Sequence, residues 1–341
     1  MTRRNSLAFI AALGCLVFPA FGQMSLTGAG ATFPFPMYSK WFDEYRKVHS
    51  DVQINYQSLG SGAGIRQVTE GTVDFGATDG PMTDEQIKAF HDKRGCNVLH
   101  FPTVAGGVVP IYNIPGVTAD LDFTPEALAG IFLGKVTKWN DPAIASVNPK
   151  VKLPGNDIVV VHRSEGSGTT YVWTDYLSKI SDEWKTKVGK NTAVNWPVGL
   201  GGKGNEGVSG QVKQTANSIG YVELIYASQN KMSFGRVKNS SGAFVKASLA
   251  SVTAAAAGAE MPDDFRVSIT NAPGKTAYPI ASFTWLLIPE VIQDKQKLNV
   301  ITAFLQWMLG PGQKLTEALE YAPLPKPVVT KEEKAISKIH G

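Results

Sequence analysis

The sequence predicts an α/β protein of mainly parallel sheets with helices on both faces. Two observations predict it. Apolar or alternating runs of strand length recur along the chain, separated by segments with helical spacing, the order that β–α–β winding produces. Polar, glycine-rich stretches fall where strand runs give way to helical ones, and ligands of such folds gather there, beyond the carboxyl ends of the strands. A chain of 341 residues is long enough for two domains of ordinary size.

The elements follow in order. "SLTGAGATF" (25–33) is a short strand running into a glycine loop. Pro34 and Pro36 open a helix carrying Met37, Trp41, Phe42, Tyr45 and Val48 at three- and four-residue spacings. "VQINYQS" (52–58) alternates as a half-buried strand does. "GSGAGIRQVTEG" (60–71) turns from a glycine loop into a helix, and "VDFGATD" (73–79) is a strand ending in a Gly80-Pro81 turn. Further strands are predicted at 106–114, 157–163, 218–224 and 278–288, and helices near 124–133, 168–179, 206–215, 298–309 and 328–338. The alanine-rich stretch 246–260 reads as a surface helix with mobile flanks.

Residues 1–22 read as a secretory signal peptide. Arg3 and Arg4 precede an apolar run over 6–18, and "AFG" supplies small residues for cleavage before Gln23. A lipoprotein signal would use Cys15, but apolar residues continue past it and Ala12 stands where Leu is usual. The expected destination is therefore the periplasm, without an anchor at Cys15. No later stretch reaches the 18 apolar residues of a membrane helix. Removing the signal leaves 31 basic against 29 acidic residues (33 minus Arg3 and Arg4), a net charge of +2. That near balance gives no footprint of nucleic acid or membrane-surface binding. Cys96 then stands alone and is expected as a small buried apolar residue.

Several strand-to-helix junctions share one chemistry. Thr32-Phe33 precedes the first helix, Ser61 sits in "LGSGAG", Asp79 ends "GATD", and "RSEGSGTT" spans 163–170. Hydroxyls and free backbone amides at a helix start, with glycines that let a ligand come close, suit an anion. Ser and Thr also cap helices routinely, and Asp before Gly-Pro is common in turns. Arg163 adds a fork matched to carboxylate, phosphate or sulfate. Asp79 decides among them. An ionised carboxylate beside an oxyanion requires that the oxyanion bring a proton, which phosphate near neutral pH does and sulfate does not. A site built around such a bond can reject the analogue lacking it by about 10⁴–10⁵-fold. Glu165, two residues after Arg163, is the expected partner of the guanidinium, with a solvated acid as the alternative.

Other patterns carry less. "GLGGKGNEG" (199–207) contains G-x-G-x-x-G, but it follows Trp196-Pro197 rather than a clean strand and is read as helix-start packing, not a dinucleotide loop. Ser61 and Ser167 do not match G-x-S-x-G. His49, His91, His100, His162 and His340 are scattered without metal-ligand spacing, so no metal and no cofactor is expected.

"SLTGAGATFP", "GSGAG", "VDFGATD", "FPTVAGGVV", "RSEGSGT", "VGLGGKGNEGV" and "SIGYVE" together resemble the periplasmic phosphate-binding proteins of high-affinity phosphate ABC importers, over residues 24–341. The resemblance implies a two-lobed type II periplasmic binding fold with two crossover strands as hinge. Lobe one would be 24–104 plus 279–341, and lobe two 105–278. It implies phosphate in the cleft between them, bound by Thr32, Phe33 through its amide, Ser61, Asp79, Arg163, Ser167, Gly168 and Thr169, with Glu165 behind Arg163. It also implies arsenate as a competitor, a membrane ABC permease with its ATPase as partner, a monomer, and no catalysis. Glu165 stands where the family often has Asp, and Thr78 where it often has Ser. Segment 237–275 is less similar, and nothing is carried over to it. The rivals are a receptor for another oxyanion such as sulfate, and an exported phosphatase using Ser167 as nucleophile, for which no base or metal is visible.

Overall fold

The computed structural model describes residues 23–341. The expected signal peptide and Cys15 lie outside the described residues. Among the described residues no helix is long and apolar enough to cross a membrane.

A nine-stranded sheet organises the chain. Its path runs Val52–Ser58, Met24–Gly30, Phe75–Thr78, Ala281–Pro289, Val98–Asn113, Ser218–Glu223, Val159–Arg163 and Leu200–Gly202, with Ser233–Phe234 paired alongside. Val98–Asn113 belongs to both lobes. Its first part, to Gly107, pairs with Ala281–Pro289, and its remainder pairs with Ser218–Glu223. Every antiparallel pairing of this sheet involves one of these two long strands, and all its other pairings are parallel. Helical crossovers return strands in the same direction, whereas a chain that leaves for a second lobe must come back in reverse.

The apolar run from Gly106 predicts a shorter strand than the structure holds, for the strand also includes Pro102, which has no amide to give to the ladder. The structure accommodates it with a bulge. Thr284 faces Val104 and Trp285 faces Pro102, so Thr103 is left over at the register shift. The strand then extends back to Val98. The alanine-rich segment is corrected in part. Its helix spans Leu249–Ala257 and lies at the surface as expected, with Ala250, Thr253 and Ala257 exposed, but Ser251, Val252, Ala255 and Ala256 form a buried face and its flank is not free. Small side chains let it approach the crossover strand: a Cβ added to Gly107 would lie 3.2 Å from Val252 Cγ2. Its C-terminal flank is tied down by hydrogen bonds to both lobes. Cys96 is buried at 8% exposure in a small cluster with Ile65, Val68, Phe90 and Leu287.

Helix Ser61–Glu70 rests directly on the sheet because Gly64 has no side chain. A Cβ there would lie 2.6 Å from Gly30 Cα and 2.7 Å from the Ala29 and Ala77 carbonyl oxygens. Backbone atoms cannot rotate away, so Gly64→Ala is expected to lower stability by about 1–3 kcal/mol. Urea unfolding of the purified protein measures this. An unshifted midpoint would show that the helix lifts off without cost.

Candidate functional site

The junctions singled out in the sequence converge where the lobes meet. Thr32 and Phe33 lie just ahead of helix Phe35–Val48, Ser61 begins helix Ser61–Glu70, and Asp79 follows strand Phe75–Thr78. From the other lobe, Arg163 ends strand Val159–Arg163, and Ser167 caps helix Gly168–Ile180, whose first residues are Gly168 and Thr169. Thr32, Phe33, Ser61, Asp79, Arg163, Ser167 and Thr169 are each no more than 3% exposed.

Asp79 sits at the seam. Its Oδ1 accepts from the Thr284 hydroxyl at 2.8 Å, and its backbone amide donates to Ser61 Oγ at 3.3 Å. Its Oδ2 is buried with no hydrogen-bond partner. A Cβ on Gly168 would collide with Asp79 Oδ2 and Ser61 Oγ, so that glycine brings the second lobe's helix N-terminus against the carboxylate. Burial pushes the Asp79 pKa up to about 7, opposed by the Thr284 hydrogen bond and the Arg163 charge. A carboxylate here is costly without a hydrogen-bond donor aimed at Oδ2.

Arg163 is held from both sides. Its Nε donates to Glu165 Oε1 at 2.9 Å, Nη2 donates to the same oxygen, and Nη1 donates to Thr169 Oγ1 at 3.2 Å. Glu165 Oε1 also accepts from the Gly204 amide at 3.1 Å. The guanidinium therefore has a fixed orientation within the seam, and its side chain is 1% exposed. Ser167 Oγ accepts from the Thr170 amide at 3.1 Å, the capping bond its place in the sequence allows.

The lobes touch through backbone. Gly62 donates to the Gly166 carbonyl at 2.9 Å, which brings glycine against glycine at the seam. Sequence reasoning missed the residue that joins the two sides. Asn205, fully buried, donates from Nδ2 to Thr32 Oγ1 at 2.7 Å and to Thr169 Oγ1 at 3.3 Å, and its Oδ1 accepts from the Glu223 amide at 2.9 Å. It lies in the glycine stretch 199–207, where strand Leu200–Gly202 runs into helix Gly204–Gln214. That helix start is occupied by Glu165 and Thr32, so no dinucleotide phosphate has access to it. Tyr226, also missed, donates to the Thr32 carbonyl at 2.6 Å. Thr284 had a signal: with Ser282 it is one of two hydroxyls in the strand "ASFTWLLIP", which is buried throughout.

Among the described residues Ser167 Oγ makes no hydrogen bond to a histidine or a carboxylate. The nearest histidine in sequence, His162, bonds through Nδ1 to the Arg163 carbonyl and stacks on Trp196. Among the described residues no group of three or more His, Cys, Asp or Glu could hold a metal ion.

Two α/β lobes joined by a pair of long antiparallel strands, with helix starts from both converging on one buried seam, define a two-lobed solute-binding protein. The model of the PBP superfamily domain matches residues 19–311. A phosphate-binding protein PstS of Pasteurella multocida is 44% identical over 310 residues, covering 90% of this chain and 88% of its own. Another PstS, from Xylella fastidiosa strain Temecula1, is 45% identical over 310 residues, with 90% and 83% covered. A high-affinity periplasmic phosphate-binding protein solved with phosphate shares the fold at a TM-score of 0.74 and 20% identity, with 91% and 93% covered. The chain belongs to the phosphate-binding protein PstS family, within the PBP superfamily.

The raised Asp79 pKa has a sign. In the folded seam the group keeps its proton up to about pH 7, whereas unfolded it releases it near the ordinary aspartate value of 3.8. The unfolded state then binds fewer protons between those values, so stability falls as pH rises across that window. In phosphate-free protein, Asp79→Asn is expected to be more stable than the wild type at pH 8 and no more stable near pH 3, read by thermal melting. Equal gains at both pH values would show that Asp79 does not titrate as the seam dictates.

Proposed function

We propose that this protein is an extracytoplasmic receptor that captures inorganic phosphate between its lobes and delivers it to a membrane ABC permease, with no bond made or broken. The observation that carries the reading is the buried, unpartnered Oδ2 of Asp79 beside Ser61 and Gly168. Phosphate supplies the hydrogen that this oxygen lacks. Sulfate, fully ionised, would leave two negative groups facing each other out of water. The family assignment supports the same ligand, and the relatives are binding proteins by name.

Residues 24–104 with 279–341 form one lobe in this reading, and 105–278 the other. Thr32, the Phe33 amide, Ser61 and Asp79 hold the ligand from the first. Arg163, Ser167, Gly168 and Thr169 hold it from the second, with Glu165 fixing the guanidinium. Helix N-termini add positive potential without any mobile charge. Closure excludes water and strengthens each bond to the ligand. Arsenate, alike in shape and protonation, competes. The receptor acts as a periplasmic monomer released by cleavage of the signal peptide.

Calorimetry of the ligand-stripped protein near pH 7.5 tests the reading, with phosphate binding expected and sulfate rejected. Tighter sulfate binding would overturn it. Asp79→Asn is expected to weaken phosphate modestly, because the amide oxygen still accepts, and to relax the rejection of sulfate. Unchanged selectivity would remove Asp79 as the sensor. Arg163→Ala is expected to cost roughly 1.5–3 kcal/mol of phosphate affinity through its lost charged hydrogen bonds. Unaltered affinity would place the anion elsewhere.

A further inference from the structure

Residues 261–270 join the lobes by a route that neither crossover strand uses. The first half of this segment lies on the lobe of Asp79. Lys331 Nζ donates to the Met261 carbonyl at 2.8 Å and pairs with Asp263 at 2.7 Å. The Phe265 ring stacks on Phe101, and its carbonyl accepts from the buried Trp285 indole at 2.8 Å. Arg266 Nη1 donates to the Met82 carbonyl at 3.0 Å and to Asp84 at 2.7 Å, while Asp264 holds its Nε at 2.7 Å. The turn it grips directly follows Asp79 and Gly80.

A residue later the chain belongs to the opposite lobe. Ser268 Oγ and Thr270 Oγ1 both donate to Asp175 Oδ2 at 2.5 Å, and Lys179 donates to the Thr270 carbonyl at 3.0 Å. Asp175 is a buried acid on helix Gly168–Ile180, the helix whose start faces Asp79. Val267 alone separates the anchors, and two residue steps reach at most about 7 Å.

We propose that residues 261–270 form a strap that limits how far the lobes part, and that Arg266 is a positioning residue whose grip on the Met82–Asp84 turn favours the closed, phosphate-holding arrangement. This rests on the phosphate-receptor reading. The anchors differ in how easily water replaces them. Trp285–Phe265 and Asp175 are buried, so releasing either strands polar groups out of water. The Arg266 side chain is 26% exposed and that of Asp84 is 85% exposed, so this contact breaks and re-forms at small cost as the lobes move. The strap thus keeps its buried ends and exchanges its exposed clasp.

Arg266→Ala tests this in the mature chain, residues 23–341, which lacks Cys15. Stopped-flow release of inorganic phosphate is expected to quicken about three- to tenfold, with association unchanged within about twofold and the preference over sulfate kept. Arg266→Lys, which retains the charge facing Asp84, is expected to recover part of the loss. Spin labels at Lys88→Cys and Lys187→Cys, whose native side chains are 75% and 65% exposed, report the separation of the lobes. Cys96 is buried and stays unlabelled. Phosphate-free Arg266→Ala is expected to show longer and broader distances than the wild type. Release rates and distances both matching the wild type would overturn the strap. Wild type that binds no phosphate would overturn the receptor reading alone, and the phosphate-free distances would then decide the strap.

Discussion

Asp79 stands where the lobes touch, one carboxylate oxygen held by the Thr284 hydroxyl and the other facing the seam without a partner. Much of the surrounding structure follows from keeping that carboxylate dry yet usable. Thr284 lies beside the register shift that leaves Thr103 unpaired, and its hydroxyl is a polar group within a buried core strand. Arg163 lies close enough to oppose the proton's hold on Asp79 and is itself tied to Glu165 and Thr169. In the proposed function, that distribution of charge suits a ligand able both to donate to Asp79 and to accept from Arg163 better than one that can do either alone.

Close approach is the second requirement. Hydrogen bonds between lobes gain strength only when water is absent, and that demands contact at backbone distance. Glycine provides it on both sides: Gly62 against Gly166, and Gly168 against Asp79 and Ser61. Any side chain at these points would hold the lobes apart. Asn205 adds the polar counterpart, spanning a hydroxyl of each lobe with a single amide. The seam is accordingly an assembly of small residues and amide groups, with Arg163 and Glu165 as its paired charges.

The sequence made the α/β winding legible because strand alternation and helical spacing are local properties, as "VQINYQS" and the Trp41–Tyr45 helix illustrate. Glycine junctions at helix starts were legible for the same reason. What escaped depended on distant partners. Pro102 hid the beginning of the long strand because its missing amide is tolerated only with the bulge that Thr284 and Trp285 complete. The buried face of the alanine-rich helix escaped because small side chains give little apolar signal, although Val252 on it packs closely on Gly107. Asn205 lay inside a glycine pattern better known from other folds, and its role depends on Thr32, far away along the chain. Segment 261–270 has no periodicity, since its contacts pass once from one lobe to the other rather than alternating between faces.

The strand Val98–Asn113 is continuous through the boundary between lobes and is laddered on both sides of it. An unbroken extended chain can be wrung about its own axis but hardly lengthened. Its relative Ala281–Pro289 runs beside it and shares that stiffness. Motion between the halves of this molecule is therefore a swing about these ribbons rather than a stretching of them, and the rim farthest from them travels most.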